Sequence, residues 1–133
     1  MKRITKKDRE ILASKFGGRC AYCGCELKKG WHADHIEPVR RELAYGRTGI
    51  TSVNKATEEG RHVIENMNPS CPSCNISKGS MPLEIWREWI AGHVNSLNQY
   101  SKNYRMAKAY GLVTETQNSV VFYYEKHSSG NVT

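Results

Sequence analysis

Apolar positions at helical spacing open the chain. Ile11, Leu12 and Phe16 recur with Lys15 on one helical period, Thr5 stands before them as a cap, and Asp8 falls in the first turn. The pattern predicts a helix over 6–16, ended by Gly17 and Gly18. Residues 31–36 are short and mixed, and read as a strand. Residues 39–61 are polar, contain glycine and show weak periodicity, so the expectation there is a long loop with one helical turn near 40–43. Loops of that length inside compact domains are commonly functional. Asn68, Pro69 and Ser70 read as a turn, after which Pro72 suits the first position of a short helix carrying Cys74, Asn75 and Lys78.

The second half is more periodic. Leu83, Trp86 and Ile90 share one face of a helix over 83–92. Leu97, Tyr100, Tyr104, Ala107 and Tyr110 step by three or four, which predicts one further helix over 94–110, closed by Gly111, with the tyrosine stripe and Trp86 and Trp89 in the core. Residues 119–125, SVVFYYE, are rich in β-branched and aromatic side chains and read as a strand. No internal repeat is visible.

Length and charge narrow the class. At 133 residues the chain suits a single domain over 1–133, one that buries only a modest core and gains from a bound metal. Its 20 Lys and Arg against 13 Asp and Glu give a net charge of +7. Most of that excess lies in residues 1–30, where Lys6, Lys7 and Arg9 are the candidate DNA contacts, because a concentrated basic segment favours a polyanion. No apolar run approaches the roughly 18–20 residues needed to span a membrane, and none follows the basic start, so a cytoplasmic setting with reduced thiols is expected.

Reduced cysteines at close spacing point to metal. Four of the five form two Cys–x–x–Cys pairs, Cys20 with Cys23 and Cys71 with Cys74. A two-residue spacer lets one turn supply two thiolates, and zinc takes four soft ligands in a tetrahedron. One structural zinc held by these four is the expectation, with Cys25 left as a free thiol. Such an ion ties residue 20 to residue 74 and brings Asp34, His35 and Asn75 toward one another.

Between the pairs lie Asp34, His35, Ile36, Glu37 and Pro38, then Glu65, Asn66 and Met67; Cys71 and Cys74 lead into Asn75 and Lys78. This order resembles the HNH endonucleases of the ββα-metal (His-Me finger) class, whose pattern is D-H-I-x-P, an Asn before an apolar residue, then C-x-x-C-[HN]-x-x-K. The match covers about residues 20–79, with 80–125 as a helical and strand extension. The rest of the chain, with its R-x-A-K-x-Y-G-L segment at 105–112 and its expected C-terminal strand, is more weakly similar to small HNH proteins of bacterial viruses, which would place the chain in the host cytoplasm.

The resemblance implies an α+β fold with a zinc-stapled ββα-metal core and a metal-dependent DNA endonuclease activity. It assigns His35 as general base toward water, Asp34 and Asn75 as ligands of a catalytic magnesium or manganese ion, Asn66 as the brace that places the histidine, and Lys78 as a DNA phosphate contact. It also implies products with 5′-phosphate and 3′-hydroxyl ends. Histidine suits proton transfer near neutral pH. The family's final His is here Asn75, which leaves metal preference open. His32, His62, His93 and His127 are expected to be non-catalytic, with His62 a candidate DNA contact. Two other readings stay open: a zinc-dependent DNA-binding module without catalysis, against which Asp34, His35 and Asn75 argue together, and an accessory or inhibitory protein that contacts packaging or host proteins.

Overall fold

The computed structural model describes residues 3–38, 40–46, 49–57 and 62–128, the two middle stretches as backbone. The chain divides into two compact units, residues 1–83 with 122–133, and residues 84–121.

The first unit begins with α1 (Lys6–Ser14). Thr5 Oγ1 accepts from the Asp8 N–H, and the Asp8 carboxylate accepts from the Thr5 N–H, both at 3.1 Å. This reciprocal cap, worth about 1 kcal/mol, sets the helix start as expected. The helix stops at Ser14, and residues 15–18 turn the chain, with Gly18 at φ 79° donating back to Ala13 O. Leu12 and Phe16 are the buried residues of this segment.

β1 (His32–His35) pairs antiparallel with β4 (Met67–Ser70), Asp34 opposite Asn68 and His35 opposite Met67. Asn68, Pro69 and Ser70 are therefore strand and not turn, and all of β4 is buried. Proline is tolerated because its carbonyl faces away from β1 and accepts from Ala21 N at 2.8 Å. Within one strand residue the N–H and C=O point the same way, so the donor that proline lacks is not one β1 needs.

Residues 39–61 also depart from expectation. β2 (Arg40–Gly46) and β3 (Gly49–Thr57) form an antiparallel ribbon with an irregularity between Arg41 and Leu43; there is no helical turn at 40–43. A polar ribbon lacks the apolar–polar alternation that marks a half-buried strand, although Ile50, Thr51 and Val53 favour extended backbone. Residues 39, 47–48 and 58–61 lie outside the described residues.

α2 (Pro72–Lys78) starts as predicted, with Cys71 at its N-cap and Pro72 in its first turn. It packs on β1 while α1 packs on β4, which gives two strands and a helix around Asp34 and His35. The fold is α+β, as expected. The predicted strand over 119–125 is absent. Instead Phe122 leads into α6 (Tyr123–Ser128), and the Tyr123 and Tyr124 amides donate to Tyr22 O and Ala21 O. The aromatic residues that suggest a strand are used in packing: Phe122 lies edge-on to Tyr22 at 5.5 Å, and Tyr124 contacts Phe16 and Tyr22. Gly24, at φ 81°, lies against Tyr123, whose ring would stand 2.9 Å from an added Cβ.

In the second unit, α3 (Leu83–Ala91) matches its prediction, but the helix expected over 94–110 is two: α4 (His93–Tyr100) and α5 (Lys102–Ala109). Ser101 takes extended backbone, and its hydroxyl accepts from Tyr104 N at 3.1 Å, capping α5. Trp86 is buried as expected. Trp89, Tyr100 and Tyr110 are exposed, so the tyrosine stripe is not a core face. Tyr104 and Asn98 instead donate to Glu115 at 2.7 Å each, and Lys108 stands 3.2 Å from the same carboxylate.

Candidate active site and metal centre

Cys20, Cys23, Cys71 and Cys74 converge as their spacing predicts. Their sulfur atoms all lie within 4.8 Å of one another, an arrangement placed to hold a metal ion. Local backbone makes this possible. Cys20 N donates to Cys25 O and Gly24 N to Cys20 O, which curls the first pair into a tight turn. The second pair sits at the start of α2, where Cys71 Sγ accepts from Cys74 N at 3.4 Å. Hydrogen bonding from Cys74 is the largest influence on Cys20 and pulls its thiol down to about 4. Cys25 lies outside the foursome and is exposed.

The turn does more than hold sulfur. Tyr22, between the first two cysteines, is buried and donates its hydroxyl to Asp34 Oδ2 at 2.5 Å. Asp34 is itself only 6% exposed. Lys78, at 1%, brings its ammonium 3.3 Å from the same Oδ2 and donates to the His35 carbonyl at 2.8 Å. Burial pushes the Asp34 carboxyl above its ordinary range, while Tyr22 and Lys78 pull the other way.

Lys78 is thus a correction. The exposed placement that a DNA phosphate contact requires is not the one it has; its charge is turned inward and joins α2 to β1. Asn75, one turn earlier on α2, is half-buried, and its carbonyl accepts from Gly79 N.

His35 follows Asp34 on β1 and is half-buried. Its Nε2 lies 2.9 Å from Nδ1 of His62, which stands just ahead of the 3-10 turn Ile64–Asn66. Burial, and next the neighbouring His62, hold His35 below the ordinary imidazole range, so its neutral form persists near neutral pH. Asn66 secures the chain beyond it. Its Nδ2 donates to Glu37 O at 2.9 Å, its Oδ1 accepts from Glu37 N at 3.1 Å, and its carbonyl accepts from Ile36 N at 2.8 Å. Asn68, the nearby alternative, is fully buried and faces α1, accepting from Lys15 at 3.3 Å.

Of the basic residues singled out near the start, Lys6 and Lys7 are exposed on α1. Arg9 is exposed but partly engaged: its guanidinium lies 4.1 Å over the Trp31 ring and donates to Trp31 O. Two residues have partners that the sequence does not indicate: Tyr22, and His62, which reads there as a candidate DNA contact. Tyr22 looks like spacer between ligands, and only its burial against Asp34 reveals it. His62 reads as surface because the polar residues before it hide that β4 returns it to His35.

Comparison with known proteins adds one finding. Residues 20–81 match the family model described as HNH endonuclease. No curated protein and no solved structure gives a match.

Proposed function

We propose that this chain, whose residues 20–81 match the HNH endonuclease family model, is a metal-dependent DNA endonuclease with His35 as its general base. The observation that carries this reading is the state of His35: half-buried, held neutral by its surroundings, and fixed by Lys78 at its own carbonyl and by Asn66 at the turn that follows. A base must be deprotonated and pre-positioned before water arrives. His35 takes a proton from the attacking water as its oxygen adds to phosphorus and the 3′-oxygen leaves, giving 5′-phosphate and 3′-hydroxyl ends. Asn66 keeps the turn after β1 from shifting, and Tyr22 keeps the Asp34 carboxylate from rotating.

Asp34 and Asn75 offer a carboxylate and an amide oxygen, hard donors that suit magnesium or manganese better than a thiophilic ion. A divalent ion held there would supply charge neutralisation at the scissile phosphate. Both contacts to Asp34 fall on Oδ2, so Oδ1 is the oxygen assigned to that ligand. The four-cysteine centre fits structural zinc. Bonds of about 2.3 Å in a tetrahedron set sulfur atoms about 3.8 Å apart, and Cys23 Sγ and Cys71 Sγ stand 3.8 Å apart. The net charge of +7 favours DNA as partner, and Lys6, Lys7 and Arg9 are the proposed phosphate contacts. The likeness of residues 105–112 to small phage HNH proteins supports a viral setting in a host cytoplasm, which co-purification with packaging proteins tests.

The deciding experiment is relaxation of supercoiled plasmid in magnesium or manganese by wild type and His35→Ala. Loss of a general base costs about 10²–10⁴-fold, with zinc content and DNA binding retained. A variant that cuts at the wild-type rate removes His35 from the mechanism, and an inactive wild type removes the enzyme reading altogether.

A further inference from the structure

We infer that His62 is a positioning residue for this reaction: its Nδ1 accepts from Nε2–H of His35 and so selects the tautomer in which His35 Nδ1 carries the lone pair that takes the proton. The inference rests on His35 being the base, and extends that reading to a residue that the D-H-I-x-P, Asn and C-x-x-C-[HN]-x-x-K pattern does not name.

The argument begins with the contact. His35 Nε2 and His62 Nδ1 are 2.9 Å apart, the rings tilted by 45° with centroids 5.1 Å apart. Two ring nitrogens at that distance share one hydrogen, since two lone pairs or two N–H groups would repel. Either His35 donates from Nε2 or His62 donates from Nδ1. If His62 donates, it carries its hydrogen on Nδ1, and so does neutral His35. If His35 donates, both rings are Nε2–H tautomers, the intrinsically preferred form of a neutral imidazole. The second arrangement needs neither ring in its less favoured form. It leaves His35 Nδ1 bare, as a base requires, and frees that nitrogen from any choice at the moment of reaction.

The proton count then closes. Before the step, His35 holds one hydrogen, on Nε2. The water proton goes to Nδ1, the hydroxide oxygen bonds to phosphorus as the bond to the 3′-oxygen breaks, that oxygen takes a proton from solvent water, and the imidazolium keeps its Nε2–H directed at His62 Nδ1. A partner on the far nitrogen that fixes tautomer and ring orientation is the logic of orienting groups at histidine bases generally. The backbone supports it: His62 lies just ahead of Ile64–Asn66, and Asn66 clamps Glu37, so the turn that braces the β1 exit also carries the partner.

The test compares His62→Leu, His62→Asn and His35→Ala in the full chain with magnesium. Each variant is checked for zinc content, DNA affinity and single-turnover cleavage of a defined duplex. The amide oxygen of asparagine falls where histidine Nδ1 lies and can accept the same hydrogen. His62→Leu should therefore cleave about 10–100-fold more slowly at unchanged DNA affinity, and His62→Asn should recover most of that loss. Imidazole ¹⁵N spectra of zinc-loaded protein without magnesium give a readout apart from activity. His35 should be an Nε2–H tautomer in wild type and His62→Asn, and mix toward Nδ1–H in His62→Leu. If His62→Leu cleaves like wild type while His35→Ala is inactive, His62 does not position the base. If the leucine variant instead loses DNA affinity or magnesium affinity, His62 is a DNA or metal contact and the inference is overturned. Should His35→Ala keep full activity, the reading of the base itself has failed.

Discussion

At the scale of residues, the site is organised around a buried carboxylate. Tyr22 and Lys78 both satisfy Asp34 Oδ2, one with a hydroxyl and one with a charge. Tyr22→Phe removes the first without changing ring volume. A hydrogen bond to a charged group contributes about 1.5–3 kcal/mol, so urea unfolding of the zinc-loaded variant should show a loss near 2 kcal/mol. A loss within measurement error would mean the contact is not made in solution. His35 gives a pH expectation. Its base form exists above its pKa, and burial together with His62 moves that pKa below the ordinary 6.5. The acid limb of the cleavage profile should therefore lie below pH 6.5; a limb centred above pH 7 would contradict the assignment. Asp34, His35, Asn66 and Asn75 stand out in the sequence by type and order, and the structure sets Asp34 and His35 on β1 with Asn66 bonded to Glu37 beyond them. Tyr22 does not stand out, because nothing local distinguishes a tyrosine whose hydroxyl meets a carboxylate from one that fills space. Lys78 was legible as a position but misread in role, since a lysine's direction is set by what packs over its stem.

At the scale of elements, the helices with strong local signals were readable and the strands were not. Thr5 with Asp8 fixes the start of α1, and Pro72 that of α2, through contacts within one turn. β4 was hidden by a proline whose absent donor faces away from its partner, and the β2–β3 ribbon by its polarity. Residues 119–125 were misread for a different reason. Their aromatic content serves packing on the Cys20 to Cys23 turn, and the backbone amides of Tyr123 and Tyr124 are taken by that same turn. The C-terminal segment thus belongs to the metal centre mechanically. Phe122→Ala empties a site only 3% exposed, and truncating a buried phenylalanine costs about 3–5 kcal/mol. Zinc should also be lost to a chelator faster than from wild type. If chelation kinetics and unfolding midpoint are both unchanged, Phe122 does not support the turn.

At the scale of the whole molecule, charge and metal matter most. Lys6 and Lys7 project from α1 and are exposed, in the part of the chain that holds most of the positive excess. Each phosphate contact contributes about 0.9 to the slope of log affinity against log salt on duplex DNA. Lys6→Ala with Lys7→Ala should flatten that slope by about 2 if both contacts are made, leaving the cleavage step unchanged once DNA is saturating. An identical slope would move the DNA footprint elsewhere. No described helix is long and apolar enough to cross a membrane.

The inward-facing Lys78 has a wider consequence. A carboxylate shut away from water without a counter-charge would have to take up a proton or resist folding. Here the counter-charge is tethered to the chain, 3.3 Å away. Charge balance at Asp34 is therefore met before a catalytic ion arrives, and on the proposed reading the pairing of β1 with its neighbours does not wait for that ion. An ion proposed to bind there would share Asp34 with the Lys78 ammonium, which cannot diffuse away, so its occupancy would depend on its ambient concentration. On that proposed reading the site around Asp34 is assembled ahead of its catalytic ion, and the rate of cleavage would follow the free concentration of that ion.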